Sequence, residues 1–204
     1  MSFLTQALID AEDAARLALR DTYDWHQLVW RAFPGRDGQP RDFLTRLDRP
    51  QREPTFRLLI VSPRHPVRPP DWPQGTDAWQ TREIAPSFFA HRRYRFQLRA
   101  NPTKRENVSR KRMPLLTPEE QRAWLQRKAT TAGFTVDEES LRTVPEGRSW
   151  FRIEKQDRRG IHHAVEFEGV LSVADPALFQ LAFARGIGSA KGFGFGLLAL
   201  APIA

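Results

Sequence analysis

The 204-residue chain has no cysteine. That excludes disulfides and thiolate metal sites, and it fits a reducing compartment. No run of 18 apolar residues occurs, so no membrane-spanning helix is expected. The opening stretch, MSFLTQALIDAEDAARLALR, lacks a basic start and carries acids early, which argues against a secretion signal. Glycine is scarce, with 12 in all, yet five of them fall in RGIGSAKGFGFGLL, residues 185–198. Acidic residues are in deficit: 24 Asp+Glu face 32 Lys+Arg, a net charge of +8. Such a surplus favours a polyanionic partner, nucleic acid first, although charge alone leaves open a basic protein that binds none.

Hydrophobic residues make up 40% of the chain, enough for a real core, and the length admits one large domain or two of about a hundred residues each. FLTQALI reads as a strand. AEDAARLALR reads as a helix, with acids first and arginines later, as the helix dipole favours. A second helix spans Thr22 to about Phe33, ended by Pro34-Gly35. Residues 43–49, 55–62 and 79–86 read as strands. The proline-rich stretch 63–75 is a poor helix, so the second helix of this half is expected to be reduced or missing.

A new start comes at HRRYRFQLRANP, residues 91–102, a strand followed by the basic loop TKRENVSRKRMP. The next helix is well signed: Thr117 as N-cap, Pro118 at N1, Glu120 for a capping box and Gly133 as the stop. FTVDEESLRTV (134–144) reads as an irregular strand, and SWFRIEKQDRRGIHHAVEFEGVLSV as a long hairpin with QDRRG at its tip. Asp175-Pro176 opens a helix that closes before Gly186, and FGLLALAPI is the last strand. The second half is therefore β-α-β-β-α-β and the first half a weaker copy of the same order. The predicted fold class is α+β, with two tandem ferredoxin-like (βαββαβ, RRM-like) domains over residues 1–86 and 90–204.

The glycine cluster is not a P-loop, because Lys191 follows Ala190 and precedes Gly192, and the loop runs from helix to strand. A dinucleotide fingerprint fails for the same reason of context. What remains is two Gly-hydrophobic-Gly clips, Gly186-Ile187-Gly188 and Gly194-Phe195-Gly196, flanking a loop that holds Lys191. Glycines there would let backbone N–H groups reach phosphates, with Lys191 adding a point charge. The bland alternative is a helix C-cap at Gly186 plus close packing of strand on helix.

In YDWHQLVWRAF, residues 23–33, the apolar stripe is Trp25, Leu28, Val29, Ala32 and Phe33. Tyr23, His26 and Trp30 fall together on one flank. A histidine at such a margin is expected to titrate near neutrality and exchange a proton with a ribose hydroxyl or a leaving oxygen. The alternative is a boundary histidine that fills space.

Candidate RNA contacts follow from charge. Lys104, Arg105, Arg110, Lys111 and Arg112 form a basic cluster in the loop after the 91–102 strand. Arg93, Arg95 and Arg99 share one face of that strand. Lys155, Arg158 and Arg159 stand at the hairpin tip, where a two-stranded ribbon could enter a groove near a helix end. Each such run reads equally as solvated surface. His162 and His163 face opposite ways on a strand and are not expected to chelate one ion; no metal and no other cofactor is expected.

Taken together, the sequence resembles the CRISPR repeat-processing endoribonucleases of the CasE family, from type I-E systems. The resemblance runs along essentially the whole chain and is carried by YDWHQLVWRAFP, YRFQLRANPTK and HHAVEFEGVLSV…FQLAFARGIGSAKGFGFGLL. It implies a double ferredoxin-like fold and cytoplasmic action. It implies binding of a repeat stem-loop, one metal-independent cut at the 3′ base of the stem, and retention of the product within a multi-subunit surveillance complex. The cut it implies is attack by a 2′-hydroxyl, leaving a 2′,3′-cyclic phosphate and a 5′-hydroxyl. The family's catalytic histidine maps onto His26 and its tyrosine onto Tyr23; the sequence leaves open whether His26 is base or acid. A non-catalytic RNA-binding subunit on the same fold is the rival reading. The free protein is expected to be a monomer without a membrane contact.

Overall fold

The computed structural model describes residues 1–36, 38–48, 55–73, 78–108, 111–153 and 157–203. The first half forms one antiparallel sheet from β1 (Phe3–Asp10), β2 (Leu44–Asp48), β3 (Thr55–Ser62) and β4 (Trp79–Glu83), in the order β2-β3-β1-β4. Two helices, α1 (Ala11–Arg16) and α2 (Thr22–Trp30), follow β1. Alternate β1 residues Thr5, Ala7 and Ile9 are buried, and Ala7 and Ile9 share a core with Trp25, Leu28 and Val29 of α2.

Both helices are shorter than their periodicity predicts. α1 ends in a Schellman turn: Ala18 takes φ 54°, Leu19 N–H reaches Ala14 O at 2.9 Å and Ala18 N–H reaches Ala15 O at 3.0 Å. α2 tightens after Trp30, where the N–H groups of Arg31, Ala32 and Phe33 bond three residues back. The apolar stripe through Phe33 is buried all the same. As expected from the prolines, the second helix is reduced: Ala78 lies in a 3-10 turn, and no α-helix joins β3 to β4 among the described residues. Trp72 takes its place: it is 1% exposed, packs edge-on to Trp79 and donates its indole N–H to Ala78 O.

The second half repeats the topology in full. β5 (Arg93–Ala100), α3 (Pro118–Thr131), β8 (Phe134–Val136) continued by β9 (Arg142–Ile153), β10 (Arg158–Val173), α4 (Pro176–Arg185) and β11 (Leu198–Pro202) give the order β11-β5-β10-β8, with β9 paired along β10. The expected basic loop is not irregular: β6 (Thr103–Arg105) and β7 (Arg112–Pro114) pair within it. The irregular strand over 134–144 resolves into β8 and the start of β9, with a break between them.

The β9–β10 ribbon outgrows its sheet. β5 pairs only with Val165–Ser172 of β10, so residues 158–164 pair with β9 alone. A bulge at Ala164/Val165, where Gly147 takes φ 88°, separates the arm from the sheet. The two halves meet through an apolar seam of Leu44, Val61, Phe183 and Leu197. A buried ion pair beside it, Arg46 Nη1 to Glu166 Oε1 at 3.0 Å, links β2 to β10.

Candidate functional site

α2 brings His26 to the seam. Asp21 caps the helix in a capping box with Asp24, and its second carboxylate oxygen accepts the Arg152 N–H of the ribbon at 2.9 Å. The first turn of α2 is thus tied to the second half. Phe43, immediately before β2, packs its ring 5.7 Å from the imidazole, and Trp30, one turn on along α2, donates its indole N–H to His26 Nε2 at 3.0 Å. Nδ1 is buried without a partner.

The glycine loop closes the other side. α4 ends at Gly186, and the chain then turns through a short 3-10 turn, Lys191–Phe193, before β11. A Cβ on Gly192 would lie 3.7 Å from His26 Nε2, so the loop passes beside the imidazole with room for a methyl group between them. Packing accounts for three of the other glycines. A Cβ would come 2.7 Å from Leu44 at Gly186, 2.9 Å from Trp124 at Gly188 and 2.5 Å from Ile187 O at Gly196. Ile187 N–H bonds Gly196 O at 2.8 Å, so the two clips fasten to each other. The C-cap and close-packing reading therefore explains Gly186, Gly188 and Gly196, while Gly194, at φ 79°, has open space around it.

A cleft of about 410 Å³ opens beside this contact, lined by Arg41, Phe43, Arg185 and Lys191 among others. None of these three cations is in a salt bridge among the described residues. Lys191 Nζ donates to Arg185 O, the end of α4. Asp42, also in the cleft, is already neutralised by Arg64 and Arg36. Burial first, then Arg41, Lys128 and Arg185, lower the Lys191 pKa. Burial first, then Arg41, push His26 down to about 4. The expected titration near neutrality is thus absent in the free protein, because the ring is desolvated and faces a guanidinium.

A second imidazole stands across the loop. His162 lies between Phe151 (4.9 Å) and Phe193 (4.9 Å), and its Nδ1 meets Asn101 Nδ2 at 3.1 Å. Asn101 also accepts from His163 N–H, and its carbonyl faces Ser189 Oγ at 3.4 Å. Burial, then Arg99, lower His162 to about 4 as well.

The remaining predicted residues are scattered. Tyr23 is half-buried one turn before His26, and no ring contact or hydrogen bond joins the two among the described residues. Lys104 is engaged by Glu120 at 2.9 Å; Arg105 and Arg112 pair across β6–β7, with Lys111 exposed at its turn. Arg159 is in β10 rather than at the tip, opposite Arg152, and Arg158 opposes Ile153. Arg110, Lys155 and the side chain of Arg158 lie outside the described residues. Arg99 is not a free cation, since it bonds Glu146 at 2.6 Å and covers Phe195. Among the described residues no group of three His, Asp or Glu could hold a metal ion, and no helix is long and apolar enough to cross a membrane.

Sequence reasoning missed Arg41, Arg185, Asn101 and the Trp30–His26 bond. Only the last had a local signal, the i,i+4 spacing on α2. A larger cleft, about 1170 Å³ between the two sheets, lacks any imidazole, and its Arg57 and Arg142 are paired with Asp48 and Glu168.

The fold defines a class: two tandem ferredoxin-like domains, packed so that a histidine of the first meets a glycine-rich loop of the second. The chain belongs to the CRISPR-associated protein family, whose model matches residues 2–202. It is 34% identical over 201 residues to the CRISPR system Cascade subunit CasE of Escherichia coli K12, covering 93% of this chain and 96% of that protein. It is 31% identical over 219 residues to the CRISPR-associated endoribonuclease Cse3 of Thermus thermophilus, covering 98% and 100%. Its structure is similar to that of a Cse3 endoribonuclease bound to a 19-nucleotide RNA, with a TM-score of 0.80 and 31% identity over 99% of this chain and 100% of that one. The resemblance read in the sequence is thereby met.

Proposed function

We propose that the chain is a metal-independent endoribonuclease that binds the stem-loop of CRISPR repeat RNA and cuts once at the 3′ base of the stem. It then keeps the product as a subunit of a type I-E surveillance complex, in the cytoplasm. The observation that supports this best is His26 of α2 lying beside the glycine loop at Gly192, near a cleft whose Arg41, Arg185 and Lys191 have no carboxylate partner among the described residues. Its relatives are named endoribonuclease and Cascade subunit.

The chemistry follows from the charges. His26 is neutral in the free protein, which is the form a general base needs. A phosphate seated in the cleft offsets Arg41 and raises the imidazole's proton affinity. His26 takes the 2′-hydroxyl proton as O2′ bonds to phosphorus; the P–O5′ bond breaks, and the 5′-oxygen leaves with a proton from solvent. The products are a 2′,3′-cyclic phosphate and a 5′-hydroxyl. To act, Nε2 must release the Trp30 N–H. Tyr23 donates its hydroxyl to the phosphate or the nucleophile. Lys191 and the open backbone at Gly194, with Arg158, Arg159 and the β6–β7 cations, hold the RNA backbone.

The Trp30 bond also fits the rival reading, in which His26 is structural and the chain only binds RNA. Incubation with the cognate repeat hairpin in EDTA decides. Wild type cuts and leaves a cyclic phosphate; His26→Ala binds without cutting. A His26→Ala variant that cuts at the normal rate removes the histidine from the mechanism, and loss of wild-type cutting in EDTA removes the metal-free route.

A further inference from the structure

The arm of the β9–β10 ribbon has two faces, and the site uses one of them. Phe151 points inward: it is 8% exposed and stacks on His162 and on Phe193 of the glycine loop. Gly160 makes room for it, since a Cβ there would sit 2.4 Å from the Phe151 ring. Strand alternation sends Arg148, Trp150 and Arg152 to the opposite face. The register adds neighbours from β10: His163 beside Arg148, Ile161 beside Trp150 and Arg159 beside Arg152.

Two features combine on that outer face. Trp150 is 61% exposed, with no ring contact among the described residues, although every other described tryptophan is buried or half-buried. Arg148, Arg152 and Arg159 are exposed on the same face, and no salt bridge reaches any of them among the described residues. An indole ringed by unpaired guanidiniums is chemically suited to a base with its phosphates: the ring offers a stacking plane and the cations meet the backbone. A protein partner would need carboxylates to match the same three charges. The base must be unpaired, because a duplex hides its base faces and the A-form major groove admits no indole. The face is also firmly placed, because Arg152 N–H is bonded to Asp21 at the start of the His26 helix.

We propose that the outer face of the arm binds unpaired RNA flanking the repeat stem, with one base stacked on Trp150 and its neighbouring phosphates held by Arg148, Arg152 and Arg159. The proposal rests on the RNA-binding part of the functional reading, not on cleavage. Trp150 is exposed, so its replacement leaves the core intact, and a thermal melt of each variant verifies that.

The test measures binding of the full chain to hairpins made uncleavable by a 2′-deoxy nucleotide at the cut site. Four RNAs are compared: both flanks present, the 5′ flank alone, the 3′ flank alone, and the bare stem-loop. Trp150→Ala is expected to weaken binding of flanked RNA about tenfold or more. Trp150→Phe recovers most of that loss, and all three proteins bind the bare stem-loop alike. The flank whose removal erases the difference carries the stacked base. Arg148→Ala and Arg152→Ala lower the salt dependence on flanked RNA only. Wild-type affinity for flanked RNA in Trp150→Ala, or equal weakening on flanked and bare hairpins, overturns the proposal. Failure of wild type to cut a normal hairpin would instead strike the endoribonuclease reading and leave this one standing.

Discussion

Two imidazoles flank one glycine loop, and they differ in what the other side of the ring meets. His26 accepts the Trp30 N–H on Nε2 and packs on Phe43, with Gly192 a methyl's width away and a cationic cleft nearby. His162 has aromatic rings on both faces and an asparagine on Nδ1. Burial and an arginine lower both to about 4, so the pKa does not separate them. Exposure does not separate them either, since both rings are half-buried. What differs is the surroundings: cations without carboxylate partners among the described residues line the cleft near His26, and a perturbed histidine marks a candidate site only where a substrate group can be held beside it.

Replacing each ring in turn is the sharpest way to break this comparison. His26→Ala is expected to slow single-turnover cleavage at least about a hundredfold while hairpin affinity stays near wild type. His162→Phe is expected to cut within a few-fold of wild type and to lose about 1–3 kcal/mol of stability, because it strands the buried Asn101 amide. Equal cleavage losses in the two variants would erase the distinction.

The loop between them carries the next largest effect. Gly196→Ala places a Cβ 2.5 Å from Ile187 O at φ 86°, and about 2–4 kcal/mol of destabilisation is expected in urea melts. Gly194→Ala, with open space around it, pays only the left-handed backbone strain, about 1–2 kcal/mol. An equal cost at both positions would mean the clips do not fasten as described.

Acid sensitivity links the two rings. Each has a folded pKa near 4 against an unfolded value of about 6.5, so the unfolded chain binds more protons in between. Their stabilising contribution is complete above about pH 6.5 and is lost as pH falls toward 4. Thermal melts over that window should show a falling Tm, and His162→Phe should flatten the fall. The smallest effect belongs to the cleft: Lys191→Ala and Arg41→Ala are each expected to reduce the salt slope of hairpin binding by about one phosphate contact. An unchanged slope takes that residue off the RNA.

Much of this was readable from the sequence where the signal was local. Thr117-Pro118, Asp175-Pro176 and the strand alternation gave the element order, and that order gave the ferredoxin-like class, whose sheets run β2-β3-β1-β4 in the first half and β11-β5-β10-β8 in the second. The prolines of 63–75 announced a second helix reduced or missing, though not that Trp72 would fill its place. His26 was legible as a margin residue on α2. Its neighbours were not, because Arg41 reaches it only through the tertiary fold of the first half and Gly192 only when the halves dock, and neither event leaves a periodicity in its segment. The glycine loop was half legible: its spacing stood out, but whether a glycine serves a ligand or a neighbour's backbone depends on the atoms across the gap. The bulge at Gly147 that frees the arm was hidden for the same reason.

The most direct test of the claim that His26 meets the scissile phosphate is an NMR titration of both imidazoles, with and without the 2′-deoxy hairpin. The account predicts that bound RNA raises the His26 pKa from about 4 toward neutrality while His162 stays where it is. A His26 pKa that does not move on binding would contradict it.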